Sequence, residues 1–225
     1  MLEDSGQLQI SLGHIPIPSG YVALKRLSSR SSALPNVLLS RERATERLVV
    51  LKSYTAERTP EFRREAKALA ALSDCEWTPK LHFAVEEAHG SWLAIEYFQA
   101  QSLSLQALDL AQRTHLANRL RDAVQELHQL GWAHGDLSPG NVLVRPAGDT
   151  VRFKLIDWEF SERCAMQTTA SYDRYRGTVG FSGWSSDLDL QERDRAALAK
   201  LYEFIGALPA ERPRAGSRKL WSWFR

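Results

Sequence analysis

The chain has 225 residues and a net charge of +2; 44% of its residues are hydrophobic and 25% charged. That balance excludes a disordered polymer and gives no argument for a protein that coats nucleic acid. No run of about eighteen apolar residues occurs, and Met1 to Gly13 carries acids and glutamines where a signal would need a basic start and an apolar stretch, so neither a membrane span nor a conventional secretory signal is expected. Cys75 and Cys164 are far apart and form no metal-like cluster, which fits a reducing, cytoplasmic setting.

Three short apolar runs, Tyr21 to Leu27, Asn36 to Ser40 and Arg47 to Tyr54, are separated by polar connections and predict an antiparallel meander. Thr59-Pro60-Glu61 then opens a helix, with Thr59 as its N-cap, Pro60 as its first residue, and Phe62, Ala66, Leu69 and Leu72 on its apolar face. Leu81 to Glu86 and Ser91 to Phe98 are two further strands around the turn at Gly90. From Ser104 the apolar spacing becomes helical, with Leu108, Leu116, Leu120, Val124 and Leu127 predicting one long helix that Gly131 stops. Asn141 to Arg145 and Arg152 to Ile156 flank the turn Pro146 to Asp149 as a hairpin, residues 161–186 are polar and aperiodic, and a last helix runs from Leu188 to Ile205. Strands with one helix followed mostly by helices give an α+β class in two lobes.

The chemistry concentrates between His134 and Glu159. The loop His134-Gly135-Asp136-Leu137-Ser138-Pro139-Gly140-Asn141 presents a carboxylate and then an amide, and an apolar strand ends in a second carboxylate, Asp157. Such a set suits phosphoryl transfer, in which one carboxylate orients the acceptor hydroxyl while the amide and the other carboxylate hold Mg²⁺ against phosphates.

On these motifs, and on Val37 to Lys52, Glu61 to Leu69, Trp92 to Phe98 and Leu188 to Phe204, the chain resembles the protein-kinase-like superfamily. The resemblance implies a two-lobed kinase-like fold, with a five-stranded antiparallel N-lobe over about 15–98 and a truncated helical C-lobe over about 99–225, as one domain spanning 1–225. It implies ATP and Mg²⁺ as cofactors. Asp136 takes the catalytic position, at a solvent-accessible cleft; Asn141 and Asp157 are the metal ligands; and Lys52 pairs with the nucleotide phosphates and with Glu65, preferred to Glu61 because it lies one turn deeper. Ile95 is the gatekeeper, Glu96 and Phe98 offer main-chain hydrogen bonds to adenine, and Val50 and Leu143 sandwich the base. The phosphate-covering turn falls on Ser28, Ser29, Ser31 and Ser32. His134 props the loop, and Asp194 anchors it from the last helix.

Four departures stand beside the resemblance. The phosphate turn from Leu27 to Asn36 has no glycine, so close approach of the backbone is harder. Asp157-Trp158-Glu159 stands where protein kinases usually have Asp-Phe-Gly, Gly135 replaces the arginine before the catalytic aspartate, and Ser138 replaces the lysine two residues after it. The expected activity is transfer to Ser/Thr hydroxyls of a protein substrate, by a monomer without nucleic-acid or membrane partners. Gly177-Thr178-Val179-Gly180-Phe181 favours it by its likeness to the segment that seats a protein substrate. The alternatives are a small-molecule kinase of the aminoglycoside or choline phosphotransferase type, which the wording of the two motifs resembles, and a nucleotide-binding pseudokinase. The compact form and the Arg-, Ala- and Leu-rich composition are similar to bacterial kinases, including effectors delivered into a host cytosol, whose substrate would then be a host protein.

Overall fold

The computed structural model describes residues 17–27, 36–87, 90–164 and 189–207. Strands β1 (Tyr21–Arg26), β2 (Asn36–Glu42) and β3 (Leu48–Tyr54) form the meander, helix α1 (Thr59–Ala71) follows, and β4 (Leu81–Glu87) and β5 (Gly90–Glu96) complete a five-stranded antiparallel sheet in the order β1-β2-β3-β5-β4. β5 thus inserts between β3 and β4, with Val50 opposite Ile95 and Lys52 opposite Leu93. Alternation along a strand sends successive side chains to opposite faces. Val49 and Leu51 of β3 join Leu38, Trp92 and Ala94 in a small outer core, while Tyr54, Leu93 and Ile95 join the main core beneath. Lys52 shares the inner face with Tyr54, so the period of two delivers a lysine to the inside of the lobe.

Helix α1 covers that inner face with Phe62, Glu65, Ala68 and Leu69, and Leu72 just beyond its end is also buried; Ala66 is only half-buried. Its start differs from the sequence expectation. A 3₁₀ turn over Ala56–Arg58 precedes it, Arg58 occupies the cap, Thr59 is the first helical residue, Pro60 the second, and the Thr59 hydroxyl donates back to the Ala56 carbonyl at 2.8 Å.

The second lobe begins with β6 (Gln101–Ser102), a 3₁₀ turn at Leu103–Leu105, and α2 (Leu110–Gln129). Helix α2 starts six residues later than its leucine spacing suggests, because Asp109 and Gln112 form a reciprocal capping box. Leu108 packs on the core from the approach segment, and Leu116, Leu120, Val124 and Leu127 form the buried stripe. β7 (Trp132–Ala133) leads into the loop 134–141; β8 (Val142–Ala147) and β9 (Thr150–Leu155) form the hairpin; β10 (Glu162–Arg163) pairs with β7; and α3 (Leu190–Ile205), capped by Asp189 and Glu192, packs on α2. These elements bear out the two-lobed kinase-like class, with α2 and α3 as the two long helices of the second lobe among the described residues. No helix among the described residues is long and apolar enough to cross a membrane.

Candidate active site

Two hydrogen-bonded networks meet between the lobes. The first is built around Lys52, whose side chain is 7% exposed. Its Nζ lies 2.6 Å from Glu65, 3.0 Å from Asp157 and 3.2 Å from Glu159. Burial alone would lower the lysine's pKa, but the carboxylates of Asp157, Glu65 and Glu159 outweigh it and hold the ammonium well above its ordinary range. The Tyr54 hydroxyl, two residues along the same strand face, donates to the Glu65 oxygen that Lys52 also reaches. Burial, with the Glu65 charge, pushes the phenol up, so Tyr54 stays a donor. Burial and the neighbouring carboxylates raise Glu65 despite Lys52, whereas for Asp157 burial is outweighed by Lys52 and its carboxyl lies below the usual range. Glu61 pairs with Arg64 at 3.7 Å, so of the two candidate glutamates the structure brings Glu65 to Lys52.

The second network holds the loop 134–141. Asp194 of α3, 1% exposed, accepts the main-chain N–H groups of His134 (2.8 Å) and Gly135 (2.9 Å), and the His128 ring lies 3.1 Å from it. His134 Nε2 is 3.1 Å from the Ile156 carbonyl, which can only accept, so this nitrogen carries the proton; Nδ1 then accepts the Asp136 N–H at 3.3 Å. Asn141 Nδ2 donates to the Asp136 carbonyl (2.9 Å) and to its carboxylate (3.0 Å). The Ile156 N–H donates to the Asn141 carbonyl at 2.9 Å. Ile156 therefore bonds to both sides of the loop and immediately precedes Asp157, coupling the two networks through one residue.

Asp136 is 6% exposed, less open than the sequence reading expects, because the Asn141 amide and the closed loop around His134 enclose it. Asp157 has φ 68° and ψ 67°, a left-handed conformation unusual for a residue with a Cβ, and its side chain is 38% exposed. That turn swings Trp158 into the core, where it is fully buried, 4.4 Å from the His134 ring and 6.0 Å from Trp77 between ring centres. Gly135 has φ +81°, and a Cβ there would lie 2.5 Å from the Phe160 carbonyl oxygen, so backbone packing excludes the arginine that kinases usually have at this position.

Among the remaining predicted residues, Ile95 and Phe98 are buried, and Val50 and Leu143 are half-buried on β3 and β8. The Glu96 N–H donates to the Lys80 carbonyl at 2.8 Å, so this main-chain donor is already engaged. Ser28, Ser29, Ser31 and Ser32 lie outside the described residues, as do Thr178 and its neighbours. Sequence reasoning missed Glu159, whose carboxylate also pairs with Arg58 at 2.5 Å, and Lys154, which reaches Glu96 at 2.9 Å and the Thr78 carbonyl at 3.0 Å. The one available signal for Lys154 was its position inside the apolar run Phe153 to Ile156; for Glu159 it was a charged residue where glycine is usual.

Comparison with known proteins agrees with this geometry. The family described as protein kinase domain matches residues 33–183. Citron Rho-interacting kinase of Mus musculus is 28% identical over 133 residues, covering 54% of this chain and 6% of that protein. Serine/threonine-protein kinase sid2 of Schizosaccharomyces pombe is 29% identical over 145 residues (56% and 22%), and protein kinase PINOID 2 of Arabidopsis thaliana is 29% identical over 120 residues (49% and 22%). The match thus spans under a quarter of each of these relatives. With the family matched over two thirds of the sequence, and with a lysine–glutamate pair beside a carboxylate–amide loop, the chain belongs to the protein kinase domain family.

Proposed function

We propose that the protein transfers the γ-phosphoryl group of Mg²⁺-ATP to Ser or Thr hydroxyls of a protein substrate. The observation that carries this reading is the coupling of Asp136 and Asn141 to Asp157, Lys52 and Glu65 through Ile156. With Nδ2 of Asn141 committed to Asp136, its Oδ1 is the amide atom suited to a cation, and the half-exposed Asp157 carboxylate is the other; an all-oxygen donor pair of this kind fits Mg²⁺. When bound, the ion supplies charge neutralisation at the transferring phosphates.

Asp136 orients the acceptor hydroxyl and takes its proton as the oxygen–phosphorus bond forms and the bond to the leaving diphosphate breaks. His134, in the tautomer fixed by Ile156, holds the Asp136 main chain, and Asp194 holds His134. Lys52 supplies a buried positive charge for the phosphates, prepositioned by Glu65. Val50, Ile95, Leu143 and Phe98 line the base site. The description of the sid2 relative as a serine/threonine-protein kinase supports the acceptor class. A host acceptor belongs to this reading only as an extension, supported by the compact motifs and composition.

A small-molecule acceptor is the second reading. It is favoured by Gly135, whose backbone conformation and contact with Phe160 commit the loop to a form without the protein-kinase arginine. The test is incubation with γ-labelled ATP and Mg²⁺ against a panel of proteins and aminoglycosides. Label on protein Ser or Thr supports the proposal, label on an aminoglycoside supports the second reading, and nucleotide binding with no transfer, not even to itself, overturns both.

A further inference from the structure

The reaction needs Glu65, Lys52 and Asp157, but Glu159 has no place in it. Yet its side chain is 5% exposed and makes two ion pairs, 3.2 Å to Lys52 and 2.5 Å to Arg58, while its carbonyl accepts from Arg64 Nε at 2.7 Å. Arg58 immediately precedes α1, and Arg64 lies within it. Both arginines therefore fasten the helix to the residue two places after Asp157. Arg58 also lies over the Tyr54 ring, 5.8 Å from its centre, and Tyr54 donates to Glu65. Lys52, Glu65, Tyr54, Arg58 and Glu159 thus close a ring around the position of α1.

We propose that Glu159 is a positioning residue that latches helix α1 inward through Arg58 and Arg64, so that the Lys52–Glu65 pair is assembled before any nucleotide or modification acts. The inference rests on the phosphoryl-transfer reading for its consequence, but its structural part stands apart from that reading. Two features make Glu159 suited to the role. A carboxylate buried this deeply requires compensating cations; Lys52 of β3 supplies one and Arg58, at the N-cap of α1, the other, so the helix cannot swing away without removing one of the two. The latch is also separate from the groups that engage nucleotide: drawing Lys52 toward phosphate and Asp157 toward a cation leaves the Glu159–Arg58 bond in place. Kinases that order this region with a phosphate on the activation segment need a cation to receive it. Here the residue before Asp136 is Gly135, and an internal carboxylate takes over the holding of α1.

The experiment compares Glu159→Gln, Arg58→Ala, the double variant and Arg58→Lys in the full chain. Amide hydrogen exchange over 59–71 is measured without nucleotide, with α2 (110–129) as the internal reference, alongside kcat and KM for Mg²⁺-ATP. The latch predicts exchange in α1 about tenfold faster in each single variant with α2 unchanged, and a double variant no worse than the singles, since both remove one interaction. It predicts a fall of similar size in kcat, largely recovered by Arg58→Lys. Unchanged α1 exchange, equal acceleration in α2, or single effects that multiply in the double variant would overturn it. Loss of transfer in Glu159→Gln with Arg58→Ala harmless would place Glu159 on Lys52 alone and also overturn it. If the wild type labels no acceptor, the phosphoryl-transfer reading fails, while the exchange data still decide the latch.

Discussion

Gly135 and Asp136 sit side by side, yet substitution should reveal opposite kinds of importance. A side chain at position 135 must adopt φ near +81° and force its Cβ against a main-chain oxygen at 2.5 Å, which no rotamer relieves. Gly135→Ala is expected to cost roughly 2 kcal/mol or more, read as a lower Tm and urea midpoint. Asp136→Ala removes one acceptor for the Asn141 amide but leaves the loop held by Asp194, so the fold should persist. Its phosphoryl transfer should fall by about a thousandfold, within the range for loss of a positioned general base. Substantial transfer by Asp136→Ala in the labelled-ATP assay would sink the assignment. Lys52→Met is a third case: it leaves Glu65, Asp157 and Glu159 around a neutral side chain, with Arg58 as the cation beside Glu159. Differential scanning calorimetry should therefore show Lys52→Met to be less stable than Asp136→Ala, because removing one partner of a buried ion pair commonly costs about 3–5 kcal/mol.

At the scale of elements, α3 matters as the support of the loop and not as a wall of the cleft. Asp194→Ala deprives the His134 and Gly135 N–H groups of their acceptor in a buried setting. A loss of about 2–4 kcal/mol is expected, together with a drop in kcat larger than the change in KM, because the nucleotide-facing strands are untouched. Equal stability of Asp194→Ala and wild type in urea would contradict that role. Elements also show where sequence was legible. Lys52 was legible through the family resemblance and not through alternation, whereas the five strands and three helices were recoverable from the spacing of their apolar residues. The start of α1 was misread because Thr-Pro-Glu is a sound N-terminal signal in isolation, whereas the 3₁₀ turn before it shifts the cap to Arg58. The start of α2 was misread because Leu108 falls at a helical spacing by coincidence; the Asp109-x-x-Gln112 capping box was the better guide. The sequence marked Glu159 and Lys154 as unusual but not what they bind, since their partners Arg58 and Glu96 lie 101 and 58 positions away.

For the whole molecule, the latch and Gly135 converge on regulation. A protein expressed in bacteria and treated with phosphatase should keep its activity toward a generic protein acceptor, without prior phosphate on Thr168, Thr169, Ser171 or Thr178. Activity lost on treatment and regained after incubation with ATP would show instead that a basic residue such as Arg174 or Arg176 receives a phosphate. The burial of Trp158 has one more consequence, an optical one. Its indole is fully shielded, lies against the His134 ring, donates to the Leu155 carbonyl at 3.0 Å, and occupies the link between the loop of Asp136 and the turn of Asp157. Indole emission responds to small changes in a neighbouring imidazole and in local field. Although the chain has seven tryptophans, this one couples to both networks at once. Fluorescence should therefore shift on addition of Mg²⁺-ATP in the wild type and lose most of that shift in Trp158→Phe, giving the protein a built-in reporter of nucleotide arrival that needs no label.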